Sequence, residues 1–400
     1  MGTEPFAPEQ AAWYLGDPNG AFRRLRAEDP LHWHEGGGFW CVTKHADVQA
    51  VSRRPRLFSS EHGTQLFEVR RHTHTLPGPN PGGAASIIRM DPPAHNRHRK
   101  LVIGAFTPGN VAQMEPWIRD IARKSLDDLD PTAPIEFVDQ VAVPLPMFVI
   151  AELLGVPRED YAIFRRWSDT MVAAGGGEFT PETGRTVSEL VEYVCAVARE
   201  RRRAPRPDLI SRLAEAEIDG ERLNDQEIGS FCLTLLVAGN ETTRHLIAGG
   251  ALALMKNPEE HRKLLERPGL LEGAVEEMLR YTTPVRNFVR CALQDTELRG
   301  RRVHRGDYLA LFYASANRDE EVFGSDSESF RVERPSARRH LTFGFGEHLC
   351  LGAALARLEA RLLFEELFRR WPHFELAGEP EPLRSSLMNG YVRMPVSLQA

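Results

Sequence analysis

From Pro93 to about Arg370, apolar positions recur mostly at helical spacing, punctuated by Pro, Gly and Asp. The longest such pattern runs from Asn224 to Met255, with Asn224 placed to cap it. At about 1.5 Å per residue it predicts a rod about 45 Å long, the width of a whole domain. Ile228 to Ala238 is nearly all apolar, so this stretch has no solvent face and belongs among other helices. A second amphipathic helix is predicted over Leu351 to Arg370, on Leu355, Leu358, Leu362, Leu363 and Leu367.

The first part of the chain reads differently. Asp17-Pro18 opens a short helix carrying Phe22 and Leu25. Leu31–His34 and Phe39–Val42 flank Glu35-Gly36-Gly37-Gly38 and predict a hairpin. Short strands are expected within Leu293 to Leu311, and strand and turn over 373–400. Residues 61–90 are polar and rich in Gly and Pro, which predicts a functional loop, a lid or a disordered segment. There is no internal repeat and no linker-like composition shift. The pattern predicts one mainly α domain over residues 1–400, with a minor β portion.

Charge narrows the function classes. Fifty Lys and Arg against 56 Asp and Glu leave a net charge of −6, which argues against a dedicated nucleic-acid binder. No uncharged apolar run approaches the ~18 residues that span a bilayer, so no membrane span is predicted. The N-terminus shows no secretory pattern, and a cytoplasmic location is expected. Five scattered cysteines include no Cys-x-x-Cys pair, so neither a zinc knuckle nor a dithiol redox motif is supported.

Cys350 stands apart through its neighbours, Phe343-Gly344-Phe345-Gly346-Glu347-His348-Leu349-Cys350-Leu351-Gly352. Two glycines predict a tight turn, and the helix beginning at Leu351 places the thiol at a helix N-terminus. That setting is expected to lower the thiol's pKa and hold a thiolate. Gly352 would let something large and flat come close. Such a thiolate serves as a nucleophile beside a base or as an axial ligand to haem iron. The remaining possibility is a buried structural cysteine next to a glycine turn.

Phe-Gly-x-Gly-x-His-x-Cys-x-Gly resembles the signature of the cytochrome P-450 family, the haem-thiolate monooxygenases. Six fixed positions at about 5% each match by chance on the order of 10⁻⁸ per start site. Three further segments resemble the same family. Ala238-Gly239-Asn240-Glu241-Thr242-Thr243 lies mid-way along the long helix, where a glycine and two threonines predict a local break in the hydrogen-bond ladder. The resemblance implies proton delivery by Thr242 and Glu241. Glu277 and Arg280 are an i,i+3 pair, and with Arg334 they match the family's structural Glu-x-x-Arg core. This chain departs from the family around Ser325-Asp326-Ser327-Glu328 and at Val332, where prolines are usual. Asp91-Pro92-Pro93-Ala94-His95 resembles a helix start that puts His95 and Arg99 on one face.

The resemblance implies a cytochrome P-450-type helical domain with a long distal helix and small sheets, holding haem b. Cys350 would be the axial ligand. Phe343, Gly344 and Gly352 would shape the loop, and His95, Arg99, Arg290 and His348 would meet the haem propionates. His98 and His245 are expected as ordinary surface residues. The implied reaction inserts one atom of O2 into a small lipophilic substrate. Electrons would come from NAD(P)H through a ferredoxin and its reductase, steered by Arg97, Lys100, Arg338, Arg339, Arg357 and Arg361. The implied substrate pocket comprises Val237, Ala238, Val285, Arg286, Asn287, Phe288, Leu387, Met388 and the 61–90 loop. Asn240 and Leu387-Met388-Asn389-Gly390 look like the branch that oxidises sterols, terpenoids and branched fatty acids. Arg286 could instead anchor a carboxylate. Tailoring of a polyketide or peptide natural product is the alternative. A peroxygenase would ordinarily lack the Glu241-Thr242 pair, and a haem-binding sensor or sequestering protein would need no proton relay.

Overall fold

A computed structural model describes residues 6–69, 86–173, 180–218 and 220–399. The centre is the helix Asp225–Lys256, 32 residues long. Asn224 and Glu227 cap it reciprocally, each side chain accepting the other's backbone N–H, at 2.9 and 2.8 Å. Helices Pro181–Arg203, Pro144–Leu154, Leu271–Thr282 and Ala353–Arg370 pack around it. Ile228, Leu236, Leu246, Ile247 and Leu254 are fully or almost fully buried, as expected of a helix without a solvent side.

The expected break in this helix does not occur. The segment is α-helical throughout, including Gly239 and Thr243. Thr242 Oγ1 donates to the Ala238 carbonyl at 2.7 Å, a bond in addition to the backbone ladder. Gly239 faces Ile150, where an added Cβ would stand 3.4 Å from Ile150 Cδ1. Packing from outside has overridden local propensity here.

The predicted hairpin, Leu31–His34 with Phe39–Val42, pairs antiparallel with Leu31 opposite Val42. It forms one side of a five-stranded sheet. Phe39–Val42 runs parallel to Tyr308–Phe312, which pairs antiparallel with Asn287–Ala292. Phe58–Ser59 completes the sheet. Strand Asn287–Ala292 was not expected, because its polar residues Asn287 and Arg290 obscure the β pattern; both are nevertheless buried. A smaller sheet joins His373–Leu376, Pro395–Gln399 and Ile135–Glu136.

No helix among the described residues is long and apolar enough to cross a membrane. Of the 61–90 loop, residues 70–85 lie outside the described residues. Its two ends carry short turns at Leu66–Glu68 and Ile87–Arg89, tied by an Arg89–Glu68 ion pair of 2.5 Å.

Candidate active site

The cysteine loop is built by backbone hydrogen bonds. Gly344 N–H donates to the Leu341 carbonyl at 2.8 Å, and Cys350 N–H donates to the Phe343 carbonyl at 2.8 Å. Gly344 and Gly346 both adopt φ near +73°, open to glycine without strain. An added Cβ on Gly346 would stand 2.5 Å from the Ser52 carbonyl oxygen, so the loop also presses on the end of helix His45–Ser52. Arg53 and Arg357 stack on Phe345 and Phe343, at 4.7 and 4.5 Å from the ring centres.

Cys350 is the one exposed cysteine of the five; Cys41, Cys195, Cys232 and Cys291 are buried. Helix Ala353–Arg370 begins just after it, with Gly352 at the N-cap position. The expected low pKa is not found. Although the residue keeps exposed surface, the protein around the sulfur pushes the thiol up by burial; the Gly352 N–H, Arg99 and Arg357 pull the other way without prevailing. The helix end alone does not hold a thiolate; a coordinated metal cation would, since a ligating thiol is deprotonated outright.

Beside the loop lies a cluster of cationic and imidazole groups. His95 and His348 meet at 4.3 Å between ring centres. Burial, followed by the charges of Arg290, His95 and Arg99, pushes His348 down to about 2. His348 Nε2 also lies 3.1 Å from Ser60 Oγ. Arg99 donates to the Leu349 carbonyl at 2.6 Å. Arg290 is buried, and among the described residues its guanidinium's hydrogen bond goes to the neighbouring Val289 carbonyl at 2.8 Å. Among the described residues no carboxylate forms an ion pair with Arg99 or Arg290. The nearby Asp91 accepts instead from Ser59 Oγ and, at 2.8 Å, from Ser60 N–H. A buried guanidinium without a counter-ion is costly, and two propionates would supply the missing negative charge. Together with the thiol and the glycine loop, this cluster fits haem.

On the long helix, Glu241 is buried and its Oε1 has no hydrogen-bond partner among the described residues. Burial pushes its carboxyl up to about 7, with Arg244 pulling it back. Arg244 is itself buried and feels the charges of Glu241 and of Asp169, whose side chain is 54% exposed. Sequence reasoning missed Arg244; its place one turn beyond Glu241-Thr242 was the available signal. Asn240 ties this helix to Ser168.

Glu277 and Arg280 are completely buried and share two hydrogen bonds of 2.7 Å. Arg334 adds a third contact to Glu277 at 3.1 Å. The departures from the family pattern have structural uses. Asp326 accepts from Arg331 at 2.6 Å and from Arg334 at 2.9 Å, and Val332 N–H donates to Glu260 at 2.8 Å, a bond proline could not make.

Several expectations need correction. Arg286 does not open onto the pocket. Neighbouring residues of an extended chain face opposite sides. While Val285 bridges to Met388, the Arg286 guanidinium donates from Nε to the Met388 carbonyl at 3.0 Å and stacks 4.2 Å over Tyr14. It is therefore no free anchor for a carboxylate. His245, expected at the surface, is buried against Gly390. Arg338, Arg357 and Arg361, expected among the cations that steer a redox partner, have part of that charge offset by Glu272, Glu276 and Glu115 at 2.5, 2.6 and 2.8 Å. The other implied pocket residues fall into two groups. Val237, Ala238, Val285, Phe288 and Leu387 retain exposed surface, whereas Asn287 and Met388 are buried. Asn287 donates to the Ser386 carbonyl at 2.8 Å.

Known proteins match this arrangement along the chain. Residues 266–399 match the cytochrome P450 family. The chain is 38% identical over 384 residues to the steroid C26-monooxygenase of Mycolicibacterium smegmatis, covering 92% of this chain and 87% of that one. It is 36% identical over 391 residues to the linalool 8-monooxygenase of Pseudomonas putida, covering 95% of each. A solved Mycobacterium marinum cytochrome P450 in complex with pseudoionone superimposes with a TM-score of 0.87 at 32% identity, covering 100% of both chains. A Bacillus megaterium cytochrome P450 in complex with testosterone gives 0.85 at 32% identity, covering 96% of this chain and 100% of that one. With relatives this similar over nearly its whole length, the chain belongs to the cytochrome P450 family, and it is a haem-dependent monooxygenase.

Proposed function

We propose that this enzyme hydroxylates a lipophilic small molecule of the sterol, terpenoid or branched fatty-acid kind, using electrons from a ferredoxin and its reductase in the cytoplasm. Overall, substrate-H, O2, two electrons and two protons become substrate-OH and water. Haem, when bound, supplies the oxygen activation, which the thiolate ligand favours. The observation carrying this reading is the convergence of one exposed thiol, Cys350, with Arg99 and Arg290, cations that form no ion pair with a carboxylate among the described residues.

The chain's residues then divide the work. Cys350 would hold the iron, and His95, Arg99, Arg290 and His348 the propionates. Phe343, Gly344 and Gly352 give the loop its shape. Glu241 can hold or release a proton near neutral pH. The positive charge of Arg244 acts on the Glu241 carboxyl and favours its ionised form, so it tunes when that proton is released. Thr242 Oγ1 gives its own proton to Ala238, which leaves its lone pairs free to accept from an incoming donor. Val237, Ala238, Val285, Phe288 and Leu387 offer an apolar wall that favours a lipophilic ligand and excludes water. Glu277, Arg280 and Arg334 serve the fold near the cysteine loop.

The substrate class is supported by relatives named for a steroid, linalool and methyl-branched lipids. A relative named for polyketide biosynthesis, 34% identical over 398 residues, keeps natural-product tailoring as the second reading. For the redox partner, Arg97 and Lys100, on the helix whose Arg99 bonds the Leu349 carbonyl, are exposed, as are Arg339 and, at 45%, Leu349. That smaller basic patch suits an acidic ferredoxin.

The test is a spin-state titration with testosterone, linalool and a methyl-branched fatty acid, followed by turnover with ferredoxin, reductase and NADH. Product heavier by one oxygen is expected from at least one of them. Haem-loaded protein that binds none, but hydroxylates a polyketide, would favour the second reading. Haem-loaded protein that never turns over would favour a sensor.

A further inference from the structure

The turn at 385–390 is gripped from two sides. From one side, Arg286 N–H donates to the Leu387 carbonyl at 2.7 Å, and Arg286 Nε donates to the Met388 carbonyl at 3.0 Å. The guanidinium is buried, stacks on Tyr14 and forms no ion pair with a carboxylate among the described residues. Among the described residues its ionic cost is therefore met by one carbonyl, that of Met388, and a ring face. Neighbouring bonds extend this grip: Asn389 N–H to the Pro284 carbonyl at 2.8 Å, and the Asn389 amide to the Thr282 carbonyl.

From the other side stands His245, 1% exposed, with neither ring nitrogen hydrogen-bonded among the described residues. An added Cβ on Gly390 would lie 1.9 Å from His245 Nδ1, so the imidazole occupies the space any other residue at 390 would need. Burying an imidazole without a partner is a poor way to fill an apolar gap. What the side chain does supply is a rigid, flat stop between the long helix and the turn. His245 lies three residues after Thr242 on the same helix, so this stop and the Thr242 hydroxyl share one rigid support.

We propose that Arg286 and His245 are positioning residues for regioselectivity. Arg286 fixes the Leu387–Met388 turn through its two carbonyls, and His245 fixes the depth of the turn through Gly390. Together they set where the turn presses the substrate relative to Thr242. This rests on the reading of the turn as a substrate wall. Neither side chain touches substrate in this scheme.

The experiment compares haem-loaded wild type with His245→Ala, Arg286→Lys and Leu387→Phe. Amide hydrogen exchange is read over 384–391 without substrate. Dissociation constant and product ratio are read with testosterone, or with linalool where testosterone gives no spin-state shift. His245→Ala removes the stop, and Arg286→Lys keeps the charge but loses the Nε bond and the flat stack. In both, exchange over 384–391 should rise about tenfold while 343–352 stays unchanged. The product ratio should shift by about threefold or more. Unchanged exchange in both variants overturns the proposal whatever the substrate, and His245→Ala keeps the test open if Arg286→Lys fails to fold. If exchange rises but only Leu387→Phe alters the product ratio, the grip does not set selectivity and the proposal is overturned. If Leu387→Phe also changes neither binding nor ratio, the turn is not a substrate wall, and that underlying reading falls as well.

Discussion

Arg280 holds Glu277 through two hydrogen bonds of 2.7 Å, and neither side chain is exposed at all. The remaining guanidinium protons reach the carbonyls of Asn317, Ser327 and Ser329 at 2.9, 2.7 and 2.9 Å. One carboxylate thus neutralises two buried arginines, since Arg334 shares it. Removing it leaves Arg280 uncompensated and Arg334 with Asp326 as its carboxylate, at a cost of about 3–5 kcal/mol. Glu277→Ala should fold poorly and carry little haem, measured by denaturant midpoint and haem-to-protein ratio. A stable, fully loaded variant would contradict the structural assignment.

Thr242→Ala should uncouple electron use from product. NADH consumption is expected to continue while hydroxylated product per NADH falls about tenfold, and Thr242→Ser should restore most of it. Coupling is measured as product per NADH, with peroxide as the complementary readout. Equal coupling in wild type and Thr242→Ala would remove the hydroxyl from proton delivery.

Glu241 makes a pH prediction. Burial raises its carboxyl from 4.5 to about 7, against the pull of Arg244. The folded protein therefore keeps a proton that the unfolded chain releases. This stabilisation is complete below 4.5 and is lost as pH rises through about 7. Glu241→Gln cannot ionise, so its stability relative to wild type should improve by up to roughly 3 kcal/mol between pH 5 and pH 8. Denaturation curves at the two pH values check this. An unchanged difference would show that Glu241 does not titrate there.

Arg290 separates haem binding from folding. Its buried charge forms no ion pair with a carboxylate among the described residues, so Arg290→Leu should leave haem-free stability unchanged or higher. Losing a charge-assisted bond of about 1.5–3 kcal/mol should speed haem transfer to a haem acceptor by about 10- to 100-fold. Unchanged transfer would take Arg290 out of the propionate set.

What the sequence made legible follows from the range of each signal. The hairpin at Leu31–His34 and Phe39–Val42 was readable to the residue, because local alternation and a glycine turn specify it. The long helix came within one residue of its observed ends, because both its cap and its apolar run are local. The cysteine motif stood out because unusual residues cluster within ten positions. Facing was not legible. Whether Arg286 opens onto the pocket or turns to Tyr14 depends on a partner more than 270 positions away, and His245 is buried where Gly390, 145 positions on, folds back against it. The pairing of Arg338, Arg357 and Arg361 likewise depends on carboxylates from distant helices. The thiol's direction of shift was misjudged for a related reason: helix ends can be read from sequence, whereas crowding cannot.

The most direct measurement is the absorption spectrum of the reduced, carbon-monoxide-bound protein. Cys350 ligation predicts a band at about 450 nm, as thiolate-bound haem gives. A band at about 420 nm from fully folded, haem-loaded protein would contradict Cys350 as the iron's thiolate ligand.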